Sequence, residues 1–152
     1  MIQYLSIAKE VSPSYMDTIK QMVPKFQTLH INNDCSAELT KIAFRKFIFI
    51  PEKVEIDNRY PFDNENDMSQ FFSLNLKSVT FNYWRSPFKL NASHLLMTNI
   101  ENLLTFNTNI TERELNRFVK LWMKSNHSFY RPKYMELHLK LRQEMDREEI
   151  LR

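Results

Sequence analysis

The chain has 152 residues and a net charge of +3, with 21 Lys and Arg against 18 Asp and Glu, which is the size of one domain around one core. Glycine is absent, where average usage of roughly 7% would place about ten. That excludes a P-loop, a GxGxxG dinucleotide site and a GxSxG nucleophile elbow, since each needs glycine for a tight turn or for close approach of backbone to ligand. One cysteine excludes a disulfide framework and a Cys-rich zinc site, while 43% hydrophobic and 13% aromatic residues can supply a core and argue against global disorder.

In chain order, the first element is a strand at Tyr4–Ile7, where apolar and polar residues alternate. Ser12-Pro13 then offers an N-cap followed by proline at the first helical position. Pro24 stops that helix ahead of a second alternating segment, Thr28–Ile31. Leu39, Ile42 and Ala43 form the inward stripe of the next helix, and Pro51 precedes the strand Lys53–Ile56. Asp63 or Asn64 caps a helix whose apolar face is Met68, Phe71 and Phe72. The strand Ser78–Phe81, the helix stripe Ala92, Leu95 and Leu96, and the strand Leu103–Phe106 follow. Thr111-Glu112-Arg113-Glu114 reads as a capping box opening a helix with Leu115, Phe118, Val119 and Trp122 inward. Pro132 precedes a last strand, Met135–Leu139.

The first apolar position of successive strands falls at 5, 29, 54, 79 and 104, in steps of 24, 25, 25 and 25 residues, and then about 31 to Met135. A strand–helix unit repeated at near-constant period predicts an α/β, leucine-rich-repeat-like solenoid of five to six units with a parallel sheet. The alternative is an α/β sandwich with a mixed sheet. Asn32, Asp57, Asn82 and Asn107 are spaced 25 residues apart, so stacking predicts a ladder whose side chains bond backbone at the strand ends. The expected organisation is one repeat domain over 1–141 and a charged helix or tail over 142–152.

Candidate chemistry is sparse. His30, His94, His127 and His138 show no i, i+4 pair and no H-E-x-x-H, so no metal and no cofactor is predicted. Cys35 reads as a structural or incidental thiol. The carboxylates Asp63, Glu65 and Asp67 suit a helix start. Glu144, Asp146, Glu148 and Glu149 alternate with arginines as on a solvated helix. Neither group has the apolar setting that splits two carboxyl pKa values, and the chain is read as no enzyme. Arg117, Lys120 and Lys124 share one helix face, yet a +3 balance falls short of a dedicated nucleic-acid binder. Trp122 is expected in the core, and Trp84 beside Tyr83 either covers a core edge or is an exposed contact. Sequons at Asn91, Asn109 and Asn126 are attributed to chance in an Asn-rich chain. The start lacks a basic segment followed by a long apolar run, and no apolar run is long enough to span a bilayer. The expected location is cytoplasmic or nuclear, with no membrane partner.

In a solenoid, the middle polar residue of each strand lines the concave sheet, where repeat proteins commonly bind partners. Those positions are Ser6, His30, Glu55, Thr80, Thr105 and His138, with Glu136 beside the last. Their mixed charge suits a protein surface better than phosphate.

The stretch Phe88–Leu139 is more specific. Thr111, Glu114-Leu115-Asn116, Phe118 and Trp122, preceded by Leu95-Leu96 and Leu103-Leu104, resemble the nematode F-box-associated domain of type 2. Its helix runs Leu-Thr-x-x-Asp/Glu-Leu-Asn-x-Phe-Leu-x-x-Trp. Over Tyr4–Trp84 only the style of repeat is shared. Ser125 stands where that family usually carries glycine, with Asn126 able to take the left-handed cap instead. The resemblance implies the substrate-recognition part of an SCF-type ubiquitin ligase, with an unidentified protein target as partner. Nothing before Tyr4 encodes an F-box, so a Skp-type adaptor is a partner only where the full-length protein carries one. The alternatives are a freestanding decoy or truncated relative and, less favoured, a weakly basic nucleic-acid-associated protein.

Overall fold

The structure, a computed structural model, describes residues 2–124 and 132–139. Strands and helices alternate throughout: β1 (Ile2–Ile7), α1 (Pro13–Met22), β2 (Phe26–Ile31), α2 (Ala37–Phe47), β3 (Lys53–Asp57), α3 (Glu65–Phe72), β4 (Ser78–Asn82), α4 (Ala92–Met97), β5 (Asn102–Thr108), α5 (Glu112–Lys124) and β6 (Tyr134–Leu139). Short polar side chains start each helix by accepting an otherwise unpaired backbone N–H. Ser12 accepts from Tyr15, Ser36 from Leu39, Asn64 from Asp67, Asn91 from His94 and Thr111 from Glu114, at 2.9–3.2 Å. The prolines at 24, 51 and 132 lie just ahead of β2, β3 and β6, as expected.

The strands form one six-stranded sheet in the order β1-β2-β3-β4-β5-β6, and every pair is parallel. A mixed sheet is thereby excluded. The register sets Leu5, Leu29, Val54, Val79, Leu103 and Met135 side by side, and beyond them Ile7, Ile31, Ile56, Phe81, Thr105 and Leu137. Helix residues Met16, Leu39, Ala43, Phe47, Met68, Phe71, Phe72 and Leu95 join these rows in one apolar core. The helices thus cover that face and leave the opposite face open. At the centre, Phe81 stacks on Phe88 with ring centroids 4.2 Å apart and meets Phe71 and Tyr83 edge-on.

Without glycine, asparagine takes the left-handed positions. Asn58 and Asn107 have φ of 52° and 58°, conformations that asparagine tolerates better than most residues with a Cβ. Asn58 closes the ends of β3 and β4, because its Oδ1 accepts from the backbone N–H groups of Trp84 and Arg85 at 2.8 and 3.1 Å.

Asn107 marks the place where the regular repeat breaks. Leu103, not Leu104, pairs with Val79, so the fourth step is 24 residues rather than 25. A register irregularity between Thr105 and Thr108 follows, pinned by a bond from the Phe88 N–H to the Asn107 carbonyl at 2.8 Å. One residue of slip exchanges the two faces of a strand. Thr105 therefore points into the core and is fully buried, and the expectation that it lines the open sheet is corrected. The ladder is corrected with it. Asp57 and Asn82 stack as expected, but they bond each other, side chain to side chain, at 2.9 Å. Asn32 does bond backbone at the end of β2 as expected, accepting from the Asp34 N–H at 2.9 Å, whereas Phe106 pairs with Asn82 where Asn107 was expected.

Two helix expectations also change. The Thr111–Glu114 box is half made, because the Glu114 carboxylate accepts instead from the Ala92 N–H of α4 at 2.8 Å. The reciprocal box forms at Asn91 and His94. Trp122 is 37% exposed rather than buried in the core, since α5 stands at the end of the helix row and packs beside α4 alone among the described helices. The expected segment 142–152, with its carboxylates, lies outside the described residues, as do Ser125, Asn126 and His127.

Candidate functional site: the open face of the sheet

Ser6, His30, Glu55 and Thr80 lie in one row, each paired in register with the next. The row continues through Leu104 to Glu136. Leu104 thus stands where Thr105 was expected. His138, two residues beyond Glu136, is exposed and packs against Phe106 with ring centroids 4.6 Å apart.

The row is cross-linked through side chains. His30 Nδ1 lies 3.0 Å from Ser6 Oγ, and its Nε2 lies 2.9 Å from Asp57 Oδ2. Asn82 donates to the other Asp57 oxygen at 2.9 Å. Tyr4 lies over the His30 ring at 5.9 Å and donates its hydroxyl to Glu55 at 3.3 Å. Burial, and then the Glu55 carboxylate, push the Tyr4 hydroxyl above its ordinary pKa, so it remains a donor. On β6, Tyr134 donates to Glu136 and His138 contacts the other carboxylate oxygen. The Tyr134 hydroxyl, followed by His138, holds Glu136 below the usual carboxylate range.

Ser6, His30 and Asp57 have the composition of a hydrolase triad, brought together from three strands. Their arrangement is reversed from one. A catalytic serine faces Nε2 while the aspartate holds Nδ1, whereas here serine faces Nδ1 and aspartate faces Nε2. The helix N-termini that could supply oxyanion donors belong to the covered side of the sheet.

The other singled-out residues serve structure. Cys35 is buried and directs its thiol at the Ile7 carbonyl, 3.2 Å away; burial, then Glu10, raises its pKa and disfavours the thiolate. Asp63 pairs with Lys41 at 2.9 Å and with Arg45. Glu65 contacts His94 Nε2 at 2.9 Å, and Asp67 accepts the Asp63 N–H. Tyr83 is core, while Trp84 is 58% exposed. Leu115 and Phe118 of the family motif pack on the core, and Asn116 is half-buried. Arg113, Arg117, Lys120 and Lys124 line a groove along α5 with Glu114, Asn116 and Leu121. An apolar cavity of about 540 Å³ lies between α2 and α3, lined by Phe44, Ile48, Phe49, Phe71 and Leu74. Among the described residues, no group of three or more His, Cys, Asp or Glu is placed to hold a metal ion. No helix there is long and apolar enough to cross a membrane.

Several residues of the open face were not singled out in the sequence as contact residues: Tyr4, Asp57, Asn82, Leu104, Phe106 and Tyr134. Asp57 and Asn82 had a signal in their 25-residue spacing. The role of Tyr4 had none, because the fold brings its carboxylate from 51 residues away, whereas Tyr134 shares a strand face with Glu136 two residues on, a period-two signal in the sequence.

No curated protein and no solved structure matches the chain. Residues 67–137, from α3 to β6 and just under half of the chain, match the model of the F-box associated family FBA_2.

Proposed function

We propose that the chain is a protein-interaction domain whose open sheet face holds a target, and that it acts as the substrate-recognition part of an F-box-type ubiquitin ligase. The carrying observation is the row Ser6–His30–Glu55–Thr80, side by side on a helix-free face, in a chain whose residues 67–137 match an F-box associated family. In this reading the parallel sheet is a leucine-rich-repeat-like arc, 1–141 is one domain, and the arc presents its open side to the target. The cross-strand bonds hold the side chains in place before a partner arrives, which lowers the entropy lost on binding. No covalent step is required of the chain. A Skp-type adaptor joins only through an F-box; without one the domain is a decoy that holds its target undelivered. The cytoplasm or nucleus is the matching location.

The test is selection of peptides from a displayed library on the immobilised full chain, repeated on a His30→Asp, Thr80→Arg variant with unchanged far-UV circular dichroism. Peptides that bind the wild type and lose about ten-fold or more on the variant support the reading. Equal binding to both overturns it.

The four cations along the α5 groove favour a second reading, binding to nucleic acid. Binding to a DNA or RNA duplex that weakens steeply with salt, and that falls in Arg117→Ala, Lys120→Ala, supports it; no binding at low salt removes it.

A further inference from the structure

The geometry points to a target segment that is basic, with two cationic side chains about four residues apart in extended conformation. This inference rests on the open face being the binding surface.

The face has a charge of its own. Its outward strand residues include Glu55, Asp57 and Glu136 against Lys53 as the cation, whereas the chain as a whole is +3. The excess of positive charge therefore sits elsewhere, in part on α2 and α5. A surface of sign opposite to its surroundings selects a partner by complementarity and disfavours acidic competitors.

Both carboxylates are paired with tyrosines, Glu55 from two strands away and Glu136 along its own strand. Glu55 sits under the Tyr4 hydroxyl and Glu136 under the Tyr134 hydroxyl, and both tyrosines are about half exposed, at 50% and 55%. Each carboxylate lies at the hydroxyl edge of its tyrosine, where an ammonium or guanidinium gains charge pairing while its aliphatic stem packs along the exposed ring. Glu55 takes one phenol and Glu136 takes a phenol and His138 on its two oxygens, and with about four lone-pair sites per carboxylate both retain acceptor capacity. Glu136 is held below the usual carboxylate range and stays ionised at neutral pH.

Glu55 and Glu136 occupy the same row, three strands apart. At about 4.8 Å per strand this is about 14 Å. An extended chain rises about 3.4 Å per residue, so side chains four residues apart span the same distance. Leu104 lies between them in the row, beside Thr80, and offers an apolar contact to the residue in the middle.

The test uses fluorescence anisotropy of the full 152-residue chain with labelled Ser-Lys-Ala-Leu-Ala-Lys-Ser. One control peptide carries Glu in place of both lysines, and another has the lysines adjacent. Binding of the spaced peptide about ten-fold tighter than either control, with a loss of several-fold in Glu55→Gln and in Glu136→Gln, supports the inference. Glutamine keeps an acceptor for each tyrosine while removing the charge, and circular dichroism verifies the fold of each variant. Equal binding of the three peptides, or binding indifferent to both substitutions, overturns it. Selected peptides that lack paired lysines or arginines but lose binding in the His30→Asp, Thr80→Arg variant overturn basic recognition and leave open-face binding standing. Selected peptides indifferent to that variant overturn both.

Discussion

Thr80 and Phe81 are neighbours on β4, yet one belongs to the open face and the other to the centre of the core. On the covered side, Phe81 is fully buried among Phe62, Phe71, Tyr83 and Phe88, and its position is enforced by contacts on every side. On the open side, Thr80 is half-buried between Glu55 and Leu104, and the neighbouring residues hold one another by single hydrogen bonds. The same backbone therefore carries one face fixed by packing on every side and another held by single side-chain hydrogen bonds.

The largest expected effect breaks the covered face. Phe81→Ala should cost about 3–5 kcal/mol in urea unfolding, through lost burial and a cavity that the neighbouring rings fill only in part. Thr80→Ala, one residue away, should cost under about 0.5 kcal/mol. Equal losses would mean that the two faces do not differ as described. An intermediate effect is expected at Asp57, which is 8% exposed and serves both His30 and Asn82. Asp57→Ala should cost about 1–3 kcal/mol by leaving those partners without their acceptor, and Asp57→Asn should lose less.

Thr105→Val should raise stability by about 1 kcal/mol. The Thr105 hydroxyl is buried without a hydrogen-bond partner among the described residues, and valine fills the same shape without the polar cost. Because Thr105 faces the core, the same variant should leave peptide binding unchanged. A binding loss with the fold intact would place it back on the open face. The last expectation concerns alkaline pH. Burial, and then Glu65, push the Tyr60 hydroxyl up to about 12, and burial also raises that of Tyr83. The fold keeps the protonated phenol. Its contribution is complete below the unfolded pKa of about 10 and is lost as pH rises through about 12. Urea midpoints should fall over that window, and Tyr60→Phe should fall less steeply. A flat profile would show that these hydroxyls are equally solvated in both states.

Alternation in six short segments, prolines ahead of three strands and side-chain caps at three of the helix starts lay open in the sequence, because each is a local device. The near-constant spacing of the segments predicts the parallel sheet that the strands form. On β5 the local pattern points to the wrong face, for a physical reason. In Leu103-Leu104-Thr105-Phe106, residues 104 and 106 are the more apolar pair, so local pattern turns them inward. The structure turns Leu103 and Thr105 inward, because the pairing of Val79 with Leu103 fixes the register and the irregularity at Asn107 absorbs the difference. Glu114 shows the same limit. Three residues after a threonine it looks committed to its own helix, but α4 brings a closer unpaired N–H.

Composition and period determined by themselves that the chain builds strand–helix units around one apolar core, since the burial pattern along each strand and helix is written in neighbouring residues. Tertiary structure alone decided which side chains meet across strands: His30 with Ser6 and Asp57, Tyr4 with Glu55, and Leu104 in place of Thr105. Those contacts join residues 24 to 51 positions apart, and only the register between strands, set by packing of the whole sheet against its helices, brings them within reach.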